Sequence, residues 1–359
     1  MKTLHVPLGG RAYDIHIEAG ALRRLPALTA AFLTAGEPVA VVSDETVWAL
    51  YGQTVCEDLR DAGLAFEHIL VPPGESSKCM AQLSRLWERF GNMGLGRAGT
   101  VVALGGGVVG DLAGFAAATW MRGVGLIQAP TTLLAQVDSA VGGKTAIDID
   151  AGKNLVGAFH QPKSVIIDPR ALATLPPREY ATGMAEVVKY GAIASADLFA
   201  RLETEELREN AATDTLRDII YECCRIKRDV VAGDEFDTGR RMLLNFGHTF
   251  GHAIEAKYGY SRYNHGEGVA AGMRIAARIG ETLGVTRPGT AQRLSRLLSR
   301  YGLDAREGTD GLLPLVRRDK KASGAGVKLA LLKEIGAATV QHLSYTELEA
   351  ALRTLKQVG

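Results

Sequence analysis

The first third of the chain is written in short apolar runs. The opening stretch, MKTLHVPLGGRAYDIHIE, alternates apolar and polar residues with the period of a half-buried strand. The runs PVAVVS (38–43), AFEHILVP (65–72), TVVALGGG (100–107) and GLIQAP (125–130) follow. Between them lie stretches of helical period: ETVWALYGQTVCEDLRDAG, KCMAQLSRLWERFGNMG and AGFAAATW. Continuously apolar strands separated by helices predict a parallel sheet covered on both faces.

The pattern changes near Leu175. REYATGMAEVVKYGAIA, DTLRDIIYECCRIKRDVVAG, RRMLLNFGHTFGHAIEAKYG and GEGVAAGMRIAARIGETLG all repeat apolar residues at helical spacing. Further helices are expected near GTAQRLSRLLSRYG and SYTELEAALRTLK, and a short strand at VKLALL (327–332). The prolines of DPRALATLPPRE mark the change. The expectation is an α/β domain with a parallel-rich nucleotide-binding sheet over residues 1–175 and a mainly α-helical domain over 176–359. Such a pairing leaves a cleft, a common place for a site. The chain shows no internal repeat and no low-complexity segment.

With 359 residues, 47% hydrophobic and 23% charged, the chain has apolar material for two cores. A formal net charge of +1 without a basic stripe argues against a nucleic-acid partner. No apolar run reaches membrane-spanning length, and the first residues have no signal-peptide core, so the expectation is a cytoplasmic protein with no membrane partner. Cys56, Cys79, Cys223 and Cys224 form no CxxC motif and read as reduced thiols, the last two as helix packing.

LGGGVVGD (104–111) contains Gly105, Gly107 and Gly110 in GxGxxG spacing, after a strand and opening a helix. Glycines there let a pyrophosphate approach the backbone and meet the N–H groups of the helix start. A structural turn gives the same pattern. The ribose-binding acid usual about 20 residues on is missing: no Asp or Glu occurs from Leu112 to Val137. Asp44, ending the strand PVAVVS, is the best-placed substitute.

Arg241, Asn245, His248, His252 and Glu255 stand at offsets 0, 4, 7, 11 and 14. On one α-helix they would share roughly 80° of arc. Their neighbours are apolar, and such a stripe is costly to bury without partners. His248 and His252, four apart, can be two ligands of one metal, or one can serve otherwise. His265, in YNHGEG before a helix, can be a cap or a ligand. Glu186, in GMAEVVKYG, is a candidate carboxylate, with Lys189 one turn on. Lys144, Lys153, Lys189, Lys227 and Arg241 sit in glycine-rich or apolar surroundings, unlike the charge-dense LETEELRENAATD, and together point to an anionic substrate.

The run GGGVVGDLAGFAAATWMRGVGLIQAPTTLLAQVDSAVGGKTAIDIDAGKNLVGAFHQP, followed by GMAEVVKYG, RRMLLNFGHTFGHAIE, HGEGVAAGM and RRDKK, resembles the 3-dehydroquinate synthases, within the sugar phosphate cyclases, in order and spacing from about residue 38 to 340. The resemblance implies an NAD-binding α/β domain and a helical metal- and substrate-binding domain. It implies NAD+, a divalent metal (Zn2+ or Co2+) and a homodimer. The implied activity is a carbon–oxygen lyase at the second step of the shikimate pathway, toward chorismate and the aromatic amino acids. Its substrate would be a small anionic sugar-acid phosphate, 3-deoxy-D-arabino-heptulosonate 7-phosphate, and its products 3-dehydroquinate and phosphate. The implied course is transient NAD-dependent oxidation, β-elimination of phosphate, reduction, ring opening and intramolecular aldol closure.

Carried over by motif, Glu186, His248 and His265 match the metal ligands, and His252 a catalytic histidine that is not a ligand. Asp44, then Gly74, Glu75 and Lys78 of PGESSK, then Gly107, Val108, Val109, Gly110 and Asp111, and Thr131 and Thr132 match cofactor contacts. Asp138, Lys144 and Lys153 match residues where nicotinamide and substrate meet. Asn154, Lys189, Lys227, Arg241 and Asn245 match the substrate pocket, with one lysine of the DKK triplet, Lys320 or Lys321. One departure is HGEGVAAGM in place of HGEAVAIGM, which puts Gly268 and Ala271 behind the metal helix. Rival readings are a sibling cyclase acting on a substrate without the carboxylate, an iron- or zinc-dependent alcohol or glycerol dehydrogenase, and a non-catalytic nucleotide-binding regulator. The set of cations favours the carboxylated substrate.

Overall fold

The structure, a computed structural model, describes residues 1–357 apart from 35, 206, 208–212, 318–321 and 324–325. It divides into two compact units. The first holds Met1–Leu175 and the segment that ends at Phe236; the rest forms the second.

The first unit opens on an antiparallel hairpin, β1 (Lys2–Val6) and β2 (Tyr13–Ile17), and a short helix α1 (Leu25–Ala30). Alternating elements follow: β3 (Val39–Asp44), α2 (Glu45–Asp61), β4 (Phe66–Val71), α3 (Met80–Asn92), β5 (Thr100–Gly105), α4 (Gly107–Thr119) and β6 (Gly125–Pro130). A separate antiparallel pair, β7 (Lys144–Ile149) and β8 (Gly152–Phe159), precedes β9 (Ser164–Ile167). The main sheet runs β1-β2-β9-β6-β5-β3-β4, parallel except for β1. β5 is buried along its whole length, as expected for a strand covered on both faces. On one face Val101 and Ala103 pack with Leu112, Phe115 and Leu86; on the other Val102 and Leu104 pack with Val41, Leu59 and Ile127. Each large side chain fully buried this way contributes about 1.5–3 kcal/mol.

In the second unit, α5 (Pro177–Ala194) and α6 (Ala196–Thr204) come first. Helix α7 (Thr213–Gly233) then returns to the first unit, where it packs on β1, β2 and the turn at 135–139. Its apolar face explains this: Ile219, Ile220, Cys223, Cys224 and Val231 are buried, and Cys224 Sγ donates to the Gln136 carbonyl at 3.3 Å. The continuous block 176–359 expected above is therefore interrupted, because periodicity shows that a helix has a sticky face but not which sheet receives it. None of the four cysteines is in a disulfide, and burial pushes the Cys224 thiol up to about 12, so this pair is packing. The second unit continues with α8 (His248–Lys257), α9 (His265–Thr282), α10 (Thr290–Arg300) and α11 (Leu312–Val316). It ends in β10 (Ala322–Ser323), β11 (Gly326–Glu334), β12 (Ala337–Ser344) and α12 (Tyr345–Gln357). The last three strands form an antiparallel sheet, of which the sequence announced only β11. No helix among the described residues is long and apolar enough to cross a membrane.

The helix expected across 241–255 is broken. Arg240–Asn245 is a tight 3-10 turn, Gly247 adopts left-handed φ 83°, and α8 begins at His248. The cause is close packing of α9. A Cβ at Gly247 would meet Met273 Cγ at 2.4 Å, and one at Gly272 would meet the Gly247 carbonyl at 2.0 Å. Only glycine accepts both the contact and the positive φ.

Candidate functional site

In the first unit the candidate residues gather at the carboxyl ends of the parallel strands. From β5 the sheet proceeds to β6 on one side, while β3 and β4 lie on the other. This reversal is where open α/β sheets bind ligands. The glycine turn runs from the end of β5 into α4, whose first residue is Gly107. Val108, Val109, Gly110 and Asp111 form its first turns. A Cβ at Gly106 would lie 3.0 Å from Thr132 Cγ2, and one at Gly107 3.1 Å from Ser139 Oγ. These glycines thus let Thr132 and the turn after it close over the helix start. Thr131 donates its backbone N–H to the Gly105 carbonyl at 2.9 Å. Its hydroxyl is buried and has no hydrogen-bond partner among the described residues. Asp44 ends β3, the strand next to β5, and caps α2 by accepting the Val47 N–H at 2.9 Å.

Lys78 is the centre of this region. It is 4% exposed and lies 3.0 Å from Asp111, 3.4 Å from Glu75 and 4.0 Å from Asp148. Lys153 reaches the same Glu75 oxygen at 3.5 Å. Burial works against the Lys78 charge, but Asp111 and Glu75 outweigh it and hold its pKa above the ordinary lysine value. Burial likewise raises Asp111 and Asp148, while at Glu75 the two lysines overcome it and the pKa falls. Gly74, at φ 99°, turns the chain into this cluster.

Asp138 sits in a single π-helical turn, Ala135–Ser139, a form frequent at functional sites. Lys227 of α7 donates to its carbonyl at 2.6 Å and pairs with its carboxylate. Lys144 starts β7 and is exposed. Asn154 is held at φ 54° by its N–H donating to Asp148 Oδ1 at 2.8 Å. Asp148, a departure in GGKTAID from the GGKTGIN common in the family, has no role in the sequence reading, yet it lies four residues after Lys144 and touches both Lys78 and Asn154.

In the second unit Glu186, fully buried on α5, is the centre. Lys189, 1% exposed one turn later, pairs with Oε2. Oε1 faces His248 Nε2 at 3.5 Å and His265 Nε2 at 3.8 Å. The rings of His248 and His265 are 5.3 Å apart, and that of His252 lies 5.6 and 5.9 Å from them. His265 is the first residue of α9, but the cap is Asn264, in a reciprocal capping box with Glu267. Its imidazole is therefore available for other work. His248 directs Nδ1 at the Phe246 carbonyl, 3.3 Å away, and His265 directs Nδ1 at Glu255 Oε1, 3.1 Å away. Burial disfavours the His265 cation, but Glu255 and Glu186 outweigh it and raise the pKa above the usual histidine value. Glu255 was read as part of the stripe but given no role. Arg241 is buried and Asn245 half-buried on the 3-10 turn. Lys320 and Lys321 lie outside the described residues.

Glu186, His248 and His265 each offer a ligand atom within 4.8 Å of the others, as do His252, Glu255 and His265. The first group is the chemistry of a three-ligand zinc or cobalt site. Ligand atoms about 2.0–2.1 Å from a tetrahedral ion lie about 3.3 Å apart, close to the spacing of Oε1 from the two Nε2 atoms. The residues fit an ion. The glycine turn, the helix start, Asp44 and the buried Thr131 hydroxyl fit a dinucleotide.

The N-terminal profile of the 3-dehydroquinate synthases matches residues 68–182, and their C-terminal profile residues 183–322. The chain is 42% identical over 358 residues to 3-dehydroquinate synthase of Clostridium acetobutylicum, covering 99% of this chain and 100% of that protein. Among solved structures it is similar to 2-deoxy-scyllo-inosose synthase complexed with carbaglucose-6-phosphate, NAD+ and Co2+, with TM-score 0.85 and 25% identity over 98% of this chain and 100% of the other. The 2-epi-5-epi-valiolone synthase of Streptomyces hygroscopicus, with NAD+ and Zn2+ bound, gives TM-score 0.85 and 25% identity over 97% of each chain.

Proposed function

The chain belongs to the 3-dehydroquinate synthase family, and we propose that it converts 3-deoxy-D-arabino-heptulosonate 7-phosphate into 3-dehydroquinate and phosphate, the second step of the shikimate pathway. The observation that carries the chemistry is the meeting of Glu186 Oε1 with the Nε2 atoms of His248 and His265 beside Lys189. When bound, NAD+ supplies a reversible two-electron oxidation and the divalent ion a Lewis acid.

The chain's own residues divide the remaining work. The N–H groups at the start of α4 receive the pyrophosphate, and Asp44 takes the ribose hydroxyls. The Lys78 cluster holds 75–78, Asp111 and the β7–β8 pair in fixed relation. Glu186, His248 and His265 hold the ion, and zinc and cobalt both suit them. Lys189, Lys227 and Arg241, all at least nine-tenths buried, are the cations for carboxylate and phosphate. Buried cations hold an anion in one orientation and restrict its motion. Asn154, Asn245, Lys144 and Lys153 add polar contacts, and Asp138 fixes Lys227. His252 is exposed, stays off the ion and moves protons at the substrate oxygens. The β-elimination needs no strong side-chain base if the leaving phosphate takes the proton. The homodimer and cytoplasmic location belong to the same reading.

The test is phosphate release from the heptulosonate phosphate with NAD+ and Zn2+ or Co2+. Release supports the assignment, and no release overturns it. Turnover of sedoheptulose 7-phosphate instead assigns the protein to a sibling cyclase activity.

A further inference from the structure

We propose that Glu255 is the positioning residue of the metal site: it fixes the His265 ring so that Nε2, not Nδ1, faces the ion. The inference rests on the reading of Glu186, His248 and His265 as ligands and adds a residue outside that set.

Glu255 is 4% exposed and lies two turns after His248 on α8. A carboxylate is costly to bury without partners, and Oε1 lies 3.1 Å from His265 Nδ1. The two nitrogens of an imidazole occupy opposite sides of the ring. With Nδ1 turned to Glu255, Nε2 turns to Glu186 Oε1, 3.8 Å away. A hydrogen on Nδ1, donated to the carboxylate, leaves the Nε2 lone pair for the ion. It also makes the ring a stronger donor. His248 is treated in the same way by a different group, the Phe246 carbonyl at 3.3 Å. Both imidazoles are thus oriented through Nδ1 and present Nε2 to one carboxylate oxygen.

The packing of α8 on α9 creates the contact. A Cβ at Gly251 would lie 3.0 Å from the backbone of Gly268, so the two helices meet backbone to backbone. A Cβ at Gly268 would lie 3.1 Å from Glu255 Cγ and 3.1 Å from Oε1. The glycine therefore leaves the carboxylate room one turn beyond His265. The other group that includes Glu255, with His252 and His265, would make Glu255 a ligand itself. The completed set on the Nε2 side of His265 favours the positioning role.

The experiment measures Co2+ affinity of the full chain, stripped with chelator and titrated in competition with a chromophoric chelator, together with the visible Co2+ spectrum. Glu255→Ala should weaken affinity by about 10–100-fold with band positions unchanged. Glu255→Gln, whose amide oxygen still accepts from Nδ1, should recover most of the loss. If Glu255→Ala does not fold, Glu255→Gln carries the test and should be weaker than the parent by a few-fold, about 2–5, with the same bands. Affinity equal to the parent in the folded variants overturns the proposal. So does a Glu255→Ala loss as large as that of Glu186→Ala with altered bands, since Glu255 would then be a ligand. If the parent takes up no Co2+, the metal-site reading falls and this inference with it. If the parent binds and the folded Glu255 variants bind equally, this inference falls alone.

Discussion

In the first unit a buried cation, Lys78, is surrounded by Asp111, Glu75 and Asp148. In the second a buried anion, Glu186, is surrounded by Lys189 and two imidazoles. The first cluster ties together a loop, a helix start and a strand pair, and its charges answer one another. What it prepares for a ligand is backbone: N–H groups at the start of α4 and the close approach its glycines permit. The second is built almost wholly on helices, and what it prepares is lone pairs. Carboxylates around a fixed lysine set the shape of a loop region. The imidazoles of His248 and His265, turned toward a fixed carboxylate, present Nε2 to an ion.

This contrast can be broken by experiment. The largest effect should come from His248→Ala, which removes one of three ligands. Bound metal and phosphate release should fall by about a thousandfold or more, read by metal analysis and phosphate assay, while NAD+ affinity measured by fluorescence titration stays near the parent. Loss of NAD+ binding as well would show that the two clusters are not independent. His252→Ala sharpens the same point: metal content should persist and turnover fall about 10²–10⁴-fold. Equal loss of metal in both variants would restore the simple reading of His248 and His252 as a ligand pair.

Next in size is Lys78→Met, which leaves Asp111 and Glu75 without their shared cation. Asp111 and Glu75 are partly solvated, so losing the contacts with this cation should cost about 1.5–3 kcal/mol, visible in urea unfolding, and NAD+ affinity should drop with it. Metal content should not change. Asp44→Ala should be milder, with loss of the α2 cap costing about 0.5–2 kcal/mol and loss of the ribose contact weakening NAD+ about 10–100-fold. An unchanged NAD+ affinity would remove Asp44 from the cofactor site. The smallest effect belongs to Gly268→Ala, where Glu255 must yield by a few tenths of an ångström. The cost should be no more than about 1 kcal/mol, so Co2+ affinity should move by less than about tenfold. A greater loss would mean that Glu255 has no slack.

Much of this was legible in the chain. β6 falls on GLIQAP, and β3, β4 and β5 fall within a residue or two of their apolar runs. Asp44 stands out in the sequence because no Asp or Glu occurs from Leu112 to Val137, and the structure places it at the end of β3, beside β5. The pair β7–β8 has no clear signature in the sequence: β8 carries the apolar LVGAF, yet every one of its residues is exposed or half-buried, so it is not a core strand. The stripe from Arg241 to Glu255 was read as one helix, yet it is a 3-10 turn and a helix joined at Gly247.

By itself the sequence determined the parallel sheet, the glycine turn and the helices of the second half. These follow from local period and residue type, which neighbours in sequence are enough to establish. Only the tertiary structure decided that α7 joins the first sheet, that Gly247 breaks the stripe against α9, and that Glu255 meets His265. Those outcomes depend on which surfaces fit at backbone distance, and contacts between residues far apart in the chain leave no period to read.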